Sequence, residues 1–76
     1  MKYKSGDIIK YKDSNNEEYL KIIDIDGKLY AQSLIDITNK EIIVNSILYE
    51  YRDYFDGDLF SPSSLKELEE CKAKYL

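Results

Sequence analysis

Carboxylates are the side chains best placed to do chemistry in this sequence, because it contains no histidine and a single cysteine. Without imidazole the chain lacks the commonest general base near neutral pH and the commonest metal ligand. Cys71 alone cannot build a thiolate zinc site or an intramolecular disulfide, and its helical spacing from Leu68 favours a packed core thiol. The three glycines are isolated, which excludes a phosphate-binding loop. We therefore predict no catalytic residue, no metal, no cofactor and no enzymatic activity.

The carboxylates stand beside glycines in two places. Asp24 and Asp26 precede Gly27, a setting in which aspartate commonly serves a turn. The second group surrounds Gly57 and consists of Asp53, Asp56 and Asp58. This group lacks the ligand spacing and terminal glutamate of a calcium loop. We expect turn residues and solvated charges rather than an ion site.

Residues 49–60, here called the acidic-aromatic segment, combine five aromatic rings with four carboxylates. Aromatic side chains supply large contact areas and anchor interfaces. Carboxylates beside them suit a basic partner surface. The segment predicts a protein-binding site made of Tyr49, Tyr51, Asp53, Tyr54, Asp56 and Asp58.

The same segment also has a purely structural interpretation. Some of its rings would pack under a helix, and its aspartates would form turns. The rings in question are Tyr49, Tyr51, Phe55 and Phe60.

A basic N-terminal group offers an alternative site, for nucleic acid. It comprises Lys2, Lys4, Lys10 and Lys12, with Tyr3 and Tyr11 interleaved. Lysines could contact phosphates while tyrosines stack on bases, although lysines on an edge strand also prevent edge pairing. The net charge of −4 opposes duplex binding, which normally requires a basic excess.

The size of the chain favours binding over catalysis. Seventy-six residues make one domain, 1–76, with a thin core and little room for a deep cleft. The N-terminal residues lack the apolar stretch of a signal peptide, and no apolar run reaches the length of a membrane span. With one cysteine, these features predict a cytoplasmic protein that does not enter the membrane.

Short apolar runs separated by turn residues predict the elements that would position these sites. Alternation and β-branched residues indicate five strands, which cover Asp7–Lys12, Glu18–Ile25, Lys28–Leu34, Ile42–Val44 and Ile47–Tyr51. Asp26-Gly27 predicts a two-residue hairpin turn. That turn sets the cross-strand pairs Asp24 with Leu29, Ile22 with Ala31 and Leu20 with Ser33.

The second face of this hairpin carries Ile23 and Tyr30. This apolar patch would be covered by the C-terminal tail or left for a partner. Together with an unpaired edge strand it could form a symmetric homodimer.

The tail predicts a helix over residues 62–75. Leu65, Leu68, Cys71 and Tyr75 recur at helical spacing. Two beginnings remain open: Ser61 as the cap with Pro62 in the first turn, or a capping box of Ser64 and Glu67.

The opening Gly6-Asp7-Ile8-Ile9-Lys10-Tyr11, followed by a long hairpin with an Asp-Gly turn, resembles SH3-like barrels of the Tudor and KOW type. The resemblance covers residues 6–51 and implies a binding module for peptides, nucleic acids or proteins. We expect a mainly β fold, a small five-stranded antiparallel SH3-like barrel over residues 6–60 with one C-terminal α-helix. A five-stranded OB-like barrel is the alternative.

These features predict a non-enzymatic module that docks on a protein with a basic surface. An acidic, tyrosine-rich face can imitate a row of phosphates. One setting is a phage or mobile-element inhibitor of a host nuclease or defence protein. A nucleic-acid-binding module that uses the N-terminal lysines is the alternative function.

Overall fold

The computed structural model describes residues 1–75, which form one antiparallel sheet and one C-terminal α-helix. Strand order in the sheet is β4-β3-β2-β1-β6, and β5 lies beside β4 on the same edge of β3. The strands are β1 (Ile8–Lys12), β2 (Asn16–Ile25), β3 (Lys28–Thr38), β4 (Glu41–Val44), β5 (Leu48–Glu50) and β6 (Phe60–Ser63), followed by the helix α1 (Leu65–Tyr75).

The β2–β3 hairpin forms as its turn predicts. Asp26 and Gly27 both have positive φ, 55° and 84°, as a tight hairpin turn requires. The three predicted cross-strand pairs are confirmed. Ile23 and Tyr30 face each other and are half-buried, and neither contributes to the buried cluster under the helix.

A β-bulge lets the sheet support a hydrophobic cluster on each face. Tyr19 pairs with Ile35 and Leu20 with Ser33, so β3 carries one extra residue at this point. Tyr19 and Leu20 are consecutive, yet both are buried. One cluster lies on the face away from the helix and contains Tyr3, Ile9, Leu20, Ile22, Ala31, Phe55 and Phe60. The other lies under the helix and contains Tyr19, Ile35, Ile37, Leu68 and Cys71.

The expected five-stranded SH3-like barrel is corrected to six strands in an open sheet. The sixth strand, β6, pairs with β1 and includes Pro62, which the sequence placed in the helix. Segment 45–47 stays on the edge of β3, where the Ser33 N–H donates to the Ile47 carbonyl at 2.8 Å. The chain then leaves for β6 through a 3-10 helix at Asp53–Asp56, and within residues 1–75 no ladder joins β5 to β6.

The α-helix begins at Leu65 because Pro62 is occupied in β6. Of the two predicted beginnings, the structure has the one at Ser64, whose Oγ accepts the Glu67 N–H at 3.1 Å. Glu67 completes a different pattern from the expected capping box. Its carboxylate accepts hydrogen bonds from the Ser63 hydroxyl and from Lys10 Nζ.

Candidate functional site

The acidic-aromatic segment is built around a single buried ring. Phe55 lies in the 3-10 helix and is 1% exposed. Its ring stacks on Tyr54 at a centroid distance of 4.3 Å and lies 5.5 Å from Tyr51 and 4.9 Å from Phe60. These rings pack on the sheet face away from α1. The structural interpretation of the sequence expected such rings under the helix, and it is therefore wrong about the face on which they pack.

Two of the predicted site residues, Tyr51 and Asp56, anchor the N-terminal segment. The Tyr51 hydroxyl donates to Asp56 Oδ1, and the Lys2 N–H donates to the same oxygen at 2.8 Å. The Tyr3 N–H donates to the Tyr51 hydroxyl at 3.2 Å. The hydrogen bond from Tyr51, followed by that from Lys2, lowers the pKa of Asp56. Burial first, and then the bond to Asp56, raises the pKa of Tyr51 to about 12.

The other predicted residues face solvent or a cleft. Asp53, Tyr54 and Asp58 are exposed, and none of the ion pairs within residues 1–75 uses either aspartate. Tyr49 is half-buried and pairs with Ala31 across the β5–β3 ladder. The segment thus presents two free carboxylates around one exposed ring.

Beside this ring a cleft of about 230 Å³ joins the segment to the sheet. Tyr49 and Tyr54 line it from the predicted site, and Tyr11 and Glu18 line it from β1 and β2. Sequence reasoning missed Glu18, although the alternation along β2 offered a signal. Glu18 occupies the same face as Leu20 and Ile22, which are buried in the core. A charged side chain on such a face is unusual and indicates a candidate functional residue.

Glu18 is a half-buried carboxylate on the core face of the sheet. Its Oε2 accepts a hydrogen bond from the Ser33 hydroxyl at 2.6 Å, and Ser33 itself is fully buried. Burial, with an added contribution from the charge of Asp36 across the ladder, raises the pKa of Glu18 above its usual value, against the opposing bond from Ser33. The folded chain therefore holds this carboxylate at a cost in stability.

We expect Glu18→Gln to stabilise the protein at neutral pH. A folded-state pKa above the unfolded value means that the stability from protonated Glu18 is present at low pH and lost as pH rises through the folded pKa. The neutral amide avoids that loss and keeps an acceptor for Ser33. Thermal melts at neutral and acidic pH should show a higher midpoint for Glu18→Gln at neutral pH and a smaller difference in acid. A lower midpoint at neutral pH would contradict the assignment.

The predicted nucleic-acid residues lie on different parts of the molecule. Lys10 and Lys12 lie on β1, on the face opposite to Ile9, and Lys2 and Lys4 precede the strand. Among the described residues, carboxylate partners are found for two of the four lysines. Lys4 Nζ lies 3.1 Å from Asp7, and Lys10 Nζ lies 2.8 Å from Glu67. Tyr11 points to the other face of β1, toward Phe60 at 5.8 Å.

The two remaining candidates for chemistry, Asp24 and Cys71, have structural roles in the turn and in the core. Asp24 Oδ1 accepts the Gly27 N–H at 2.8 Å, which closes the hairpin turn. Cys71 lies on the face of α1 that packs on the sheet, with its Sγ 4.0 Å from Glu17 Oε2, and burial raises the pKa of its thiol. Within residues 1–75 no group of three or more His, Cys, Asp or Glu side chains is arranged to hold a metal ion. None of the helices in this range has the length and apolar character that a membrane crossing requires.

Comparison with protein-family models, with curated proteins and with solved structures gives no match to this chain.

Proposed function

We propose that this chain is a non-enzymatic module that binds a protein with a basic surface through the acidic-aromatic segment. The observation that carries the proposal is the position of Tyr54. Its side chain is 49% exposed while one face of its ring is fixed by stacking on buried Phe55. A ring held rigidly at the surface loses little entropy on binding.

The charges around Tyr54 support the choice of a basic partner. Asp53 and Asp58 are exposed and flank the ring in sequence. Exposed carboxylates of this kind speed association with a positive surface and disfavour acidic partners.

Reversing the two free charges should abolish most of the binding. With the tagged chain as bait in a lysate of the cells that encode it, Asp53→Lys with Asp58→Lys should reduce capture of the specific partner at least about tenfold, since like charges facing each other across an interface cost several kcal/mol. Quantitative mass spectrometry of the eluates measures the loss. Asp56 is left intact because it anchors the N-terminal segment.

The matched control reverses two exposed carboxylates elsewhere, Glu41→Lys with Glu70→Lys. It changes the net charge by the same amount and should retain capture. Equal losses in both double variants would show that net charge alone governs binding. Retained capture in the first variant would remove the segment from consideration.

The finer setting that we infer is inhibition of a nuclease or defence protein by a phage or mobile-element protein. A groove that binds phosphates is basic, and the exposed carboxylates beside Tyr54 are complementary to it. The purified chain should then suppress nucleic-acid cleavage by the captured partner. A captured partner without nucleic-acid-binding activity would contradict this setting.

A further inference from the structure

The cleft beside Tyr54 has the size of a single long side chain. Its volume is about 230 Å³, several times the ~30 Å³ that one water molecule occupies in the liquid. It is bounded by aromatic rings from three separate parts of the chain: Tyr11 from β1, Tyr49 from β5, and Tyr54 and Phe60 from the segment between β5 and α1. Such a cleft fits an extended group presented by a partner rather than a large folded ligand.

The rings of the cleft are held in place before any ligand arrives. Tyr54 stacks on Phe55 and lies 5.8 Å from Phe60, and Tyr11 lies 5.8 Å from Phe60 on the other side. The Tyr11 hydroxyl donates to Asp13 at 2.6 Å, which fixes that ring further. The faces of aromatic rings carry partial negative charge and attract cations.

The wall of the cleft also carries a negative charge without a cation partner. Within the described chain, Ser33 is the only side-chain donor to the Glu18 carboxylate, and none of the ion pairs includes it. Arg52, two residues before Tyr54 in the chain, pairs with Glu50 at 3.8 Å. Glu18, Tyr49 and Tyr54 line the same cleft, and burial first, followed by the charge of Glu18, raises the pKa of both tyrosines.

We propose that this cleft binds the guanidinium group of an arginine presented by the partner protein. The inference rests on the proposed function and names the chemistry of its central contact. A guanidinium is planar, so it can lie against a ring face while its N–H groups pair with the Glu18 carboxylate. Arginine is favoured over lysine because the more strongly hydrated ammonium loses more on entering an aromatic cleft.

A peptide titration tests the proposal without knowledge of the partner. A short glycine-flanked arginine peptide, blocked at both ends, should shift the backbone amide resonances of residues around Glu18 and Tyr54 in two-dimensional NMR spectra. The same peptide with citrulline, which is isosteric and neutral, should bind about tenfold more weakly, because the pairing with a charged acceptor is lost. A lysine peptide should fall between the two.

Two variants of cleft residues test whether the peptides bind in the cleft. Glu18→Gln should bring the arginine peptide down to the affinity of the citrulline peptide, and Tyr54→Ala should weaken both peptides. The matched control Glu70→Gln removes an exposed helix carboxylate and should leave both affinities unchanged. Equal binding of arginine and citrulline peptides by the unaltered protein would overturn the proposal, whether or not any variant folds.

The outcomes separate this proposal from the function on which it rests. The peptide titration measures the cleft alone, whereas lysate capture with the Asp53 and Asp58 variant measures the acidic surface. If capture depends on the charges but the arginine and citrulline peptides bind equally, the proposed binding module is supported and the arginine site is refuted. Arginine-selective binding together with capture unaffected by charge reversal at Asp53 and Asp58 would keep the site and refute the acidic docking surface.

Discussion

Phe55→Ala should destabilise the protein by about 3–5 kcal/mol, the usual cost of removing a buried aromatic ring. Phe55 is 1% exposed and contacts the rings of Tyr51, Tyr54 and Phe60. Natural domains are stable by only about 0.05–0.15 kcal/mol per residue. For a chain of 76 residues that amounts to about 4–11 kcal/mol, so the loss is a large fraction of the whole stability. Urea denaturation followed by circular dichroism measures it.

Leu59→Ala is the control for this prediction. Leu59 lies in the same segment but is 61% exposed, and its truncation should change the free energy of unfolding by no more than about 0.5 kcal/mol. The same denaturation midpoint for the two variants would mean that Phe55 does not anchor the segment. Because the ring of Tyr54 rests on Phe55, loss of that anchor should also release the exposed ring of the proposed binding surface.

Leu68→Ala should cost about 2–5 kcal/mol and weaken the helix itself. Leu68 is 3% exposed and, with Cys71, supplies the buried contacts of α1 with the sheet. A helix of 11 residues is marginal in water without tertiary contacts. Far-ultraviolet circular dichroism should therefore show lost helical signal as well as a lower urea midpoint.

Leu65→Ala separates burial from helix propensity. Leu65 is the first residue of the same helix and is 63% exposed, so the identical substitution should have an effect of no more than about 0.5 kcal/mol. Similar losses at positions 65 and 68 would contradict the packing of α1 on Tyr19 and Ile35. Phe55 and Leu68 belong to separate hydrophobic clusters on opposite faces of one sheet, so the two substitutions test the two faces separately.

The parts of the fold that depend on local chemistry were predictable from the sequence. Asp26-Gly27 fixes the register of β2 and β3 because two residues with positive φ leave one arrangement of the flanking strands. The end of β3 was placed too early, at Leu34. The bulge there interrupts the alternation on which strand prediction depends, and the strand continues to Thr38.

The sixth strand could not be predicted because its signal is not local. Ser61-Pro62-Ser63 shows no apolar alternation and resembles a helix beginning. The segment is extended because Phe60 enters the cluster away from the helix and the neighbouring residues pair with β1, some fifty residues earlier in the chain. Pairing at such sequence separation is a tertiary effect that overrides local preference.

The sequence predicted only those residues of the candidate site that lie in one local segment. The acidic-aromatic segment contains Tyr54 and Tyr49, which the structure places in the cleft. Glu18 and Tyr11 reach that cleft only through the register of β1 and β2 and the return of the chain after β5. Asp56 has the same residue type as Asp53 and Asp58, and only its contacts with Lys2 and Tyr51 distinguish it.

Pro62 limits the addition of a further strand at the β6 edge of the sheet. Proline has no N–H, so the outer edge of β6 presents an interrupted row of donors. β4, at the other end of the sheet, keeps an uninterrupted row beside the exposed side chains of Ile43 and Val44. Fibril growth by strand addition needs two competent edges on every copy. Because Pro62 lies in β6, strand addition can proceed from the β4 side only and cannot propagate into a fibril.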